Sequence, residues 1–345
     1  MAARRNAEAQ DDPQLDVSAI RKRLLAWYRK NRRELPWRVS RDPYRIWLSE
    51  IMLQQTRVAA AIPYYERFLN RFPTVEELAV APERDVLTAW AGLGYYARAR
   101  NLQRAAQKIH ALGAFPRDYE AIRGLDGVGD YTAAAIASIA FDMPHAAVDG
   151  NVIRVLSRLT AERGNVASSV VRERLVRAAD LLLDRKRPGE FNQACMELGA
   201  VVCLPKEPLC VRCPLKQRCA ARLAGSEREL PLKVSRGKPI EVEKQILVIE
   251  EASRILVWQR GQKSARLAGF WELPEPADVP QARIGARVGT VRHTIVNTRY
   301  SLHVHRAFTG RVPKGFRWLG RGELNEVPLS TAAKKALACL ARHEG

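Results

Sequence analysis

The chain has 345 residues, 47% of them hydrophobic, and carries 57 Lys and Arg against 37 Asp and Glu, a net charge of +20. Such a length and apolar content bury a core and suit two domains, which excludes a disordered or fibrous chain, and the surplus of positive charge favours a polyanionic partner without separating DNA from RNA or an anionic membrane. No uncharged stretch approaches the roughly 20 residues of a membrane span, and Met1 to Pro13 holds no apolar segment for a secretory signal, so a cytoplasmic protein with no membrane partner is expected.

Residues 1–14 are polar and read as a disordered tail. From Val17 the apolar positions Ile20, Leu24, Trp27 and Tyr28 recur at helical spacing, predicting an amphipathic helix to about Arg32. After the connector Arg33-Glu34-Leu35-Pro36-Trp37-Arg38, Asp42 as N-cap and Pro43 at the first helical position start a second helix that runs to about Arg57 and carries Glu50. Further helices are predicted at Pro63–Asn70, at Val75–Ala79 behind a Thr74/Glu77 capping box, at Glu83–Trp90, and at Ala97–Leu112 with Gly113 as terminator.

Asp118 to Arg123 can form a short helix, Gly127 and Gly129 interrupt it, and Tyr131 to Phe141 is alanine-rich and uncharged, which predicts a helix-hairpin-helix over 118–141. Helices follow at Val152–Leu159, Val171–Leu183 and Asn192–Val202, and then a cysteine cluster over 203–219. Residues 225–242 mix charges with Pro231, Gly237 and Pro239 and read as a linker. Beyond it the period becomes strand-like at Gln245–Ile249, Arg254–Gln259, Arg287–Arg292 and Tyr300–Phe308, with a last helix at Ser330–Leu340. The expected fold class is therefore multidomain: an all-α region over 15–224, followed by a smaller α/β domain over 243–345.

Three groups of residues carry chemistry. Glycines at 127 and 129, flanking Val128, leave no Cβ in the way, so backbone N–H groups at the next helix's N-terminus can approach an anion such as a DNA phosphate. Glu50, among Ile46, Leu48, Ile51 and Leu53, has its neutral form favoured by desolvation, which suits a general acid, and Asp149 in V-D-G-N offers a second carboxylate just past the hairpin. Cys203, Cys210, Cys213 and Cys219 give C-x6-C-x2-C-x5-C, four thiolates that can hold zinc or an iron-sulfur cluster, though a zinc ribbon normally has two C-x-x-C pairs and this has one. Cys195 and Cys339 stand outside that set and read as buried thiols.

The string L-D-G-V-G-D-Y-T-A followed by V-D-G-N resembles the helix-hairpin-helix DNA glycosylase superfamily, Tyr131 points to its A/G-specific adenine glycosylase branch, and W-L-S-E-I-M-L-Q-Q-T is similar to that branch's catalytic helix. The resemblance implies a monomeric enzyme that removes adenine mispaired with 8-oxoguanine or guanine in double-stranded DNA. In that scheme Glu50 protonates the adenine, Asp149 stabilises or captures the cationic sugar, Tyr131 hydrogen-bonds near the sugar and Asn151 orients the carboxylates. It also implies an adenine pocket of Arg33, Trp37, Leu53, Val58 and Glu197, contacts to the opposite base by Gln55, Thr56, Leu93 and Tyr95, and a 4Fe-4S cluster on the four cysteines, with Lys206, Arg212, Lys216 and Arg218 set toward phosphates.

A phenol at 131 cannot form the Schiff base of the lyase relatives on oxidised pyrimidines, and two retained carboxylates argue against a non-catalytic DNA-binding protein. The segment A-R-L-A-G-F-W-E-L-P resembles a Nudix-like domain, but only Glu275 and Asp278 follow it in Pro274–Arg287, too few carboxylates to hold magnesium, so a recognition module is expected. Two positions depart from the family. Asp126 replaces a proline in the hairpin, where its charge opposes a phosphate, and Ile295-Val296-Asn297 replaces Phe-Ser-His in the loop that probes 8-oxoguanine.

Overall fold

The computed structural model describes residues 16–233, 240–261, 264, 267–295 and 298–344. The expected tail, part of the linker, and Val296 and Asn297 lie outside the described residues, as does the side chain of Ile295. Among the described residues, those before 55 group with those from 111 to 233, and those from 55 to 110 group with those from 240 onward, so the expected helical region 15–224 contributes to both units.

In the first unit, α1 (Val17–Asn31) starts where Asp16 accepts the Ala19 N–H. Next, α2 (Pro43–Leu53) starts where Asp42 accepts from Tyr44 and Arg45. Nearly every side chain of α2 from Tyr44 to Met52 is buried, so this helix sits inside the unit rather than on it.

The second unit takes α3 (Val58–Arg71), α4 (Val75–Val80), α5 (Glu83–Trp90) and α6 (Ala97–Leu112). Helix α3 begins five residues before the predicted start and keeps Pro63 inside it. The alanine run before the proline favours helix strongly, and a proline so near the first turn removes few hydrogen bonds.

The chain then returns to the first unit for α7 (Tyr119–Arg123), α8 (Asp130–Phe141), α9 (Gly150–Leu159), α10 (Ser169–Leu182), α11 (Pro188–Val201) and α12 (Ala220–Leu223). Its core joins Leu24 and Tyr28 of α1 to Leu156, Leu175 and Leu198, with Cys203, Cys213 and Cys219 packed against it. Two glycines let α11 lie close to its neighbours. A Cβ on Gly189 would come within 2.5 Å of the Ser138 carbonyl on α8, and one on Gly199 within 2.7 Å of the Asn151 Cβ on α9. The first stretch of the expected linker is tied to this unit, where Leu232 accepts the Val166 N–H and Leu230 accepts from Arg158.

The remainder of the second unit is a mixed sheet: β1 (Ile240–Glu251), β2 (Arg254–Gln259), β3 (Trp271–Glu272), β4 (Arg283–Ile295), β5 (Thr298–Phe308) and β6 (Phe316–Gly320), then α13 (Arg321–Glu326) and α14 (Thr331–Glu344). The order is β3-β2-β1-β5-β4 with β6 paired to β2, and only β1–β5 is parallel among the described pairings. Strand β1 begins at Ile240, inside the segment expected to be linker, because β5 pairs with its charged first half from Thr298 onward. Helix α14 covers one face through Ala333, Ala336 and Leu340, while Leu247, Ile249 and Leu256 form a smaller core on the other. Both β3 and β6 escaped the sequence reading, β3 because two residues carry no alternation.

Candidate active site

Four of the sequence-predicted residues converge in the first unit. Helix α2 carries Glu50, which is only 7% exposed, and the Tyr131 hydroxyl on the first turn of α8 donates to Glu50 Oε2 at 2.6 Å and lies 3.7 Å from Met196 Sδ. Asp149 is the N-cap of α9: its Oδ1 accepts the Val152 N–H at 2.7 Å and its Oδ2 accepts from Asn151 Nδ2 at 2.9 Å. V-D-G-N thus folds locally as a cap, since an aspartate accepts the orphan amides of a helix start and the extended backbone at Asp149 turns its side chain onto them.

Burial is the chief cause that raises Glu50 to about 7; the negative charge of Asp149 adds to it, while the Tyr131 hydrogen bond and Arg38 oppose it. Burial also raises Asp149 from its ordinary value, against its bonds from Val152 and Asn151, which favour the ionised form. For Tyr131, burial followed by the charges of Glu50 and Asp149 pushes the phenol well above 10, so it stays a neutral donor. A carboxyl that is protonated near neutrality beside one supplied with N–H donors is the acid-and-carboxylate pairing that glycosidic cleavage uses.

Behind Asn151 stands Arg154, a residue the sequence reading missed. Its guanidinium donates to Asn151 Oδ1, Gly199 O and Cys203 O, each at 2.8 Å, which ties the Asp149–Asn151 turn to the first of the four cysteines. The available signal was spacing alone: Arg154 stands three residues after Asn151, on the same helical face. Arg158, one turn on and buried, donates to Leu204 O, Pro205 O and Leu230 O and reaches Cys203 Sγ at 3.2 Å.

Of the residues expected around adenine, Arg33, Trp37, Leu53 and Glu197 lie in this unit and Val58 in the other. Trp37 is buried and Leu53 half-buried. Glu197 is fully enclosed, and Arg33 and Arg38 hold both its oxygens at 2.7 to 2.9 Å. Burial alone would raise this carboxyl, but the two guanidinium groups bring it down to about 2. Both its oxygens are therefore engaged within the protein, and Arg38 is a second residue the sequence did not single out. Gln55, Thr56, Leu93 and Tyr95 belong to the second unit, where Gln55 and Tyr95 both have positive φ, 60° and 50°.

At the hairpin, Gly127 has φ 75°, Val128 is buried, and Gly129 is the N-cap of α8 with open space where a Cβ would stand. Gly127 and Gly129, on either side of it, are exposed. Asp130 at the first position of α8 is paired with Arg123, which offsets one of the two carboxylates that flank the glycine turn; the other, Asp126, is half-buried.

Cys203, Cys210, Cys213 and Cys219 lie near enough for their charges to act on one another, and burial pushes the Cys213 thiol up to about 12 with the other three adding to it. Four half-buried thiol side chains of this kind suit a metal-sulfur centre, whose cationic metal favours bound thiolate. Among the described residues no set of three His, Cys, Asp or Glu side chains is gathered for a single metal ion. Lys206 and Arg212 are exposed beside the cysteines, whereas Lys216 and Arg218 are half-buried, Arg218 against Asp16. Cys195 and Cys339 are buried outside the set.

Residues 48–179 match the HhH-GPD superfamily of base excision DNA repair proteins. The adenine DNA glycosylase of Homo sapiens is 36% identical over 402 residues, spanning 93% of this chain and 73% of that protein, and the Rattus norvegicus enzyme is 36% identical over 408 residues, spanning 95% and 79%. Among solved structures, a thermostable thymine-DNA glycosylase is 28% identical with a TM-score of 0.54, covering 60% of this chain and 97% of its own.

Proposed function

Because the chain belongs to the adenine DNA glycosylases, base-excision repair enzymes that hydrolyse an N-glycosyl bond, we propose that its substrate is adenine opposite 8-oxoguanine or guanine in duplex DNA and that it releases the base without cutting the backbone. The observation that carries this reading is the pairing of Glu50, raised to about 7 by burial, with the neighbouring Asp149. An adenine extruded from the stack meets Glu50 in its acid form, which protonates the ring and turns the base into a leaving group. Asp149 faces the oxocarbenium-like sugar with its charge, oriented by Asn151 and the Val152 N–H. Glu50, now ionised, accepts a proton from the attacking water, and the Tyr131 hydroxyl stabilises that ionised form.

The monofunctional outcome is supported by Tyr131 itself, a neutral phenol at a position where a Schiff base needs an amine. The four cysteines would hold a 4Fe-4S cluster, which would brace the loop they belong to rather than supply a reacting atom, and the mixed-sheet domain would act as a Nudix-like recognition module. The protein acts as a monomer in this reading, in the cytoplasm and on the nucleoid.

The test is incubation with duplexes carrying adenine opposite 8-oxoguanine, guanine or thymine, with and without alkali. Abasic product from the first two duplexes, cut only after alkali, is expected; strand cleavage without alkali, or equal action on adenine paired with thymine, overturns the reading.

A further inference from the structure

Arg98 stands on the first turn of α6 and is only 8% exposed. Its guanidinium does not simply fill space. Nη2 donates to Leu93 O at 3.3 Å and to Gly94 O at 3.1 Å, and lies 3.5 Å from Thr56 Oγ1, so one group bridges two loops that are 37 or more residues apart in the chain. Its carbon sits 5.4 Å from the Trp90 ring centre and 5.7 Å from that of Tyr95. These are the two loops that carry Gln55, Thr56, Leu93 and Tyr95.

Both loops hold a non-glycine residue in the left-handed region, Gln55 at φ 60° and Tyr95 at φ 50°, with Gly92 and Gly94 also at positive φ. Such conformations persist only where surrounding contacts over-determine them, and they gather at ligand clamps. Here the surrounding contacts include one buried guanidinium together with the Trp90 indole, which donates to the same Gly94 carbonyl at 3.2 Å. The 43% exposed Tyr95 ring is thereby fixed at its base and presented outward. A side chain that enters a base stack pushes against stacking energy, so a loop that yields would lose its reading of the base it meets.

We propose that Arg98 is a positioning residue for opposite-base recognition: it locks the Gln55–Thr56 turn and the Leu93–Tyr95 loop into one rigid element that reads the purine across from the excised adenine. The inference rests on the reading of those two loops as the opposite-base contact, and the experiment separates the two. Burial, which lowers the guanidinium to about 10, leaves it fully charged at working pH, so the element also presents a permanent cation beneath the loops.

Arg98→Met, Arg98→Lys, Tyr95→Ala and the Arg98→Met/Tyr95→Ala pair are to be made in the full chain. Single-turnover base release is then measured with adenine opposite 8-oxoguanine and opposite guanine, with melting temperatures alongside. The readout is the ratio of the two rates, which a merely structural role does not move. Tyr95→Ala is expected to lower the ratio, and Arg98→Met to lower it by about tenfold, the scale of one lost charged hydrogen-bond set. Arg98→Lys should lower it by about threefold, because an ammonium reaches the carbonyls but has no fork to span both loops. The double variant should lose less than the two single losses combined, since both act in part through one element.

Equal loss on both duplexes with an unchanged ratio, or additive losses in the double variant, overturns the role of Arg98. An unchanged ratio in Tyr95→Ala overturns the assignment of the loops, and the role of Arg98 with it. Should Arg98→Met fail to fold, Arg98→Lys decides on the same ratio.

Discussion

Replacing Glu50 by Gln should make the protein more stable at neutral and alkaline pH while it abolishes base release. The folded chain keeps this carboxyl protonated until about 7, whereas an unfolded chain gives up the proton near the ordinary value of 4.5. Between those two values the folded state binds more protons than the unfolded one, so stability declines as pH rises, and above about 7 the full penalty is in place. A displacement from 4.5 to about 7 corresponds to about 3 kcal/mol, an order-of-magnitude figure because Asp149 titrates beside it. The amide fills the same volume, carries no charge to desolvate, and still offers an oxygen to the Tyr131 hydroxyl. Urea midpoints of the parent and Glu50→Gln at pH 4.5, 6 and 8 should converge at the lowest pH and separate in favour of the variant by up to about 3 kcal/mol at the highest. Base release should fall by at least about 10²-fold, the contribution of a positioned general acid. A stability difference that is constant across pH, or a parent more stable at pH 8, would refute the placement of a buried, pKa-shifted acid at this position.

Tyr131→Phe removes the hydrogen bond that opposes the rise of Glu50, so the alkaline limb of the single-turnover pH profile should move up by about one unit; an unmoved limb would separate the phenol from the titrating acid. Borohydride should trap no substantial adduct with the parent, and efficient trapping would move the chain to the lyase class. Protein purified without air exposure should contain iron and sulfide in equal amounts, and Cys210→Ser should lose both along with DNA affinity; stoichiometric zinc in colourless protein would refute the cluster.

The start of α2 and the burial of Glu50 were legible because their signals are local. Asp42-Pro43 announces α2, V-D-G-N announces a cap, and Glu50 among Ile46, Leu48 and Ile51 announces a buried acid, since one helical turn brings together residues only three or four apart. The extent of β1 was not legible: Ile240 to Val242 reads as the end of the linker, and it becomes strand only because β5 supplies its ladder. The partners of Glu197 were hidden for a related reason. A glutamate in a helix can face solvent, a substrate or an arginine, and nothing within α11 tells that Arg33 and Arg38, more than 150 residues away, occupy both its oxygens. Arg98 stands two residues from Arg100 on α6, and nothing in that local pattern tells that it is buried against two loops. The sequence by itself determined which chemical groups the protein owns and which short segments they cap or line. Only the tertiary structure decided which of those groups face one another, because burial and pairing depend on residues far apart in the chain, and it is burial and pairing that hold Glu50 near 7 and Glu197 near 2.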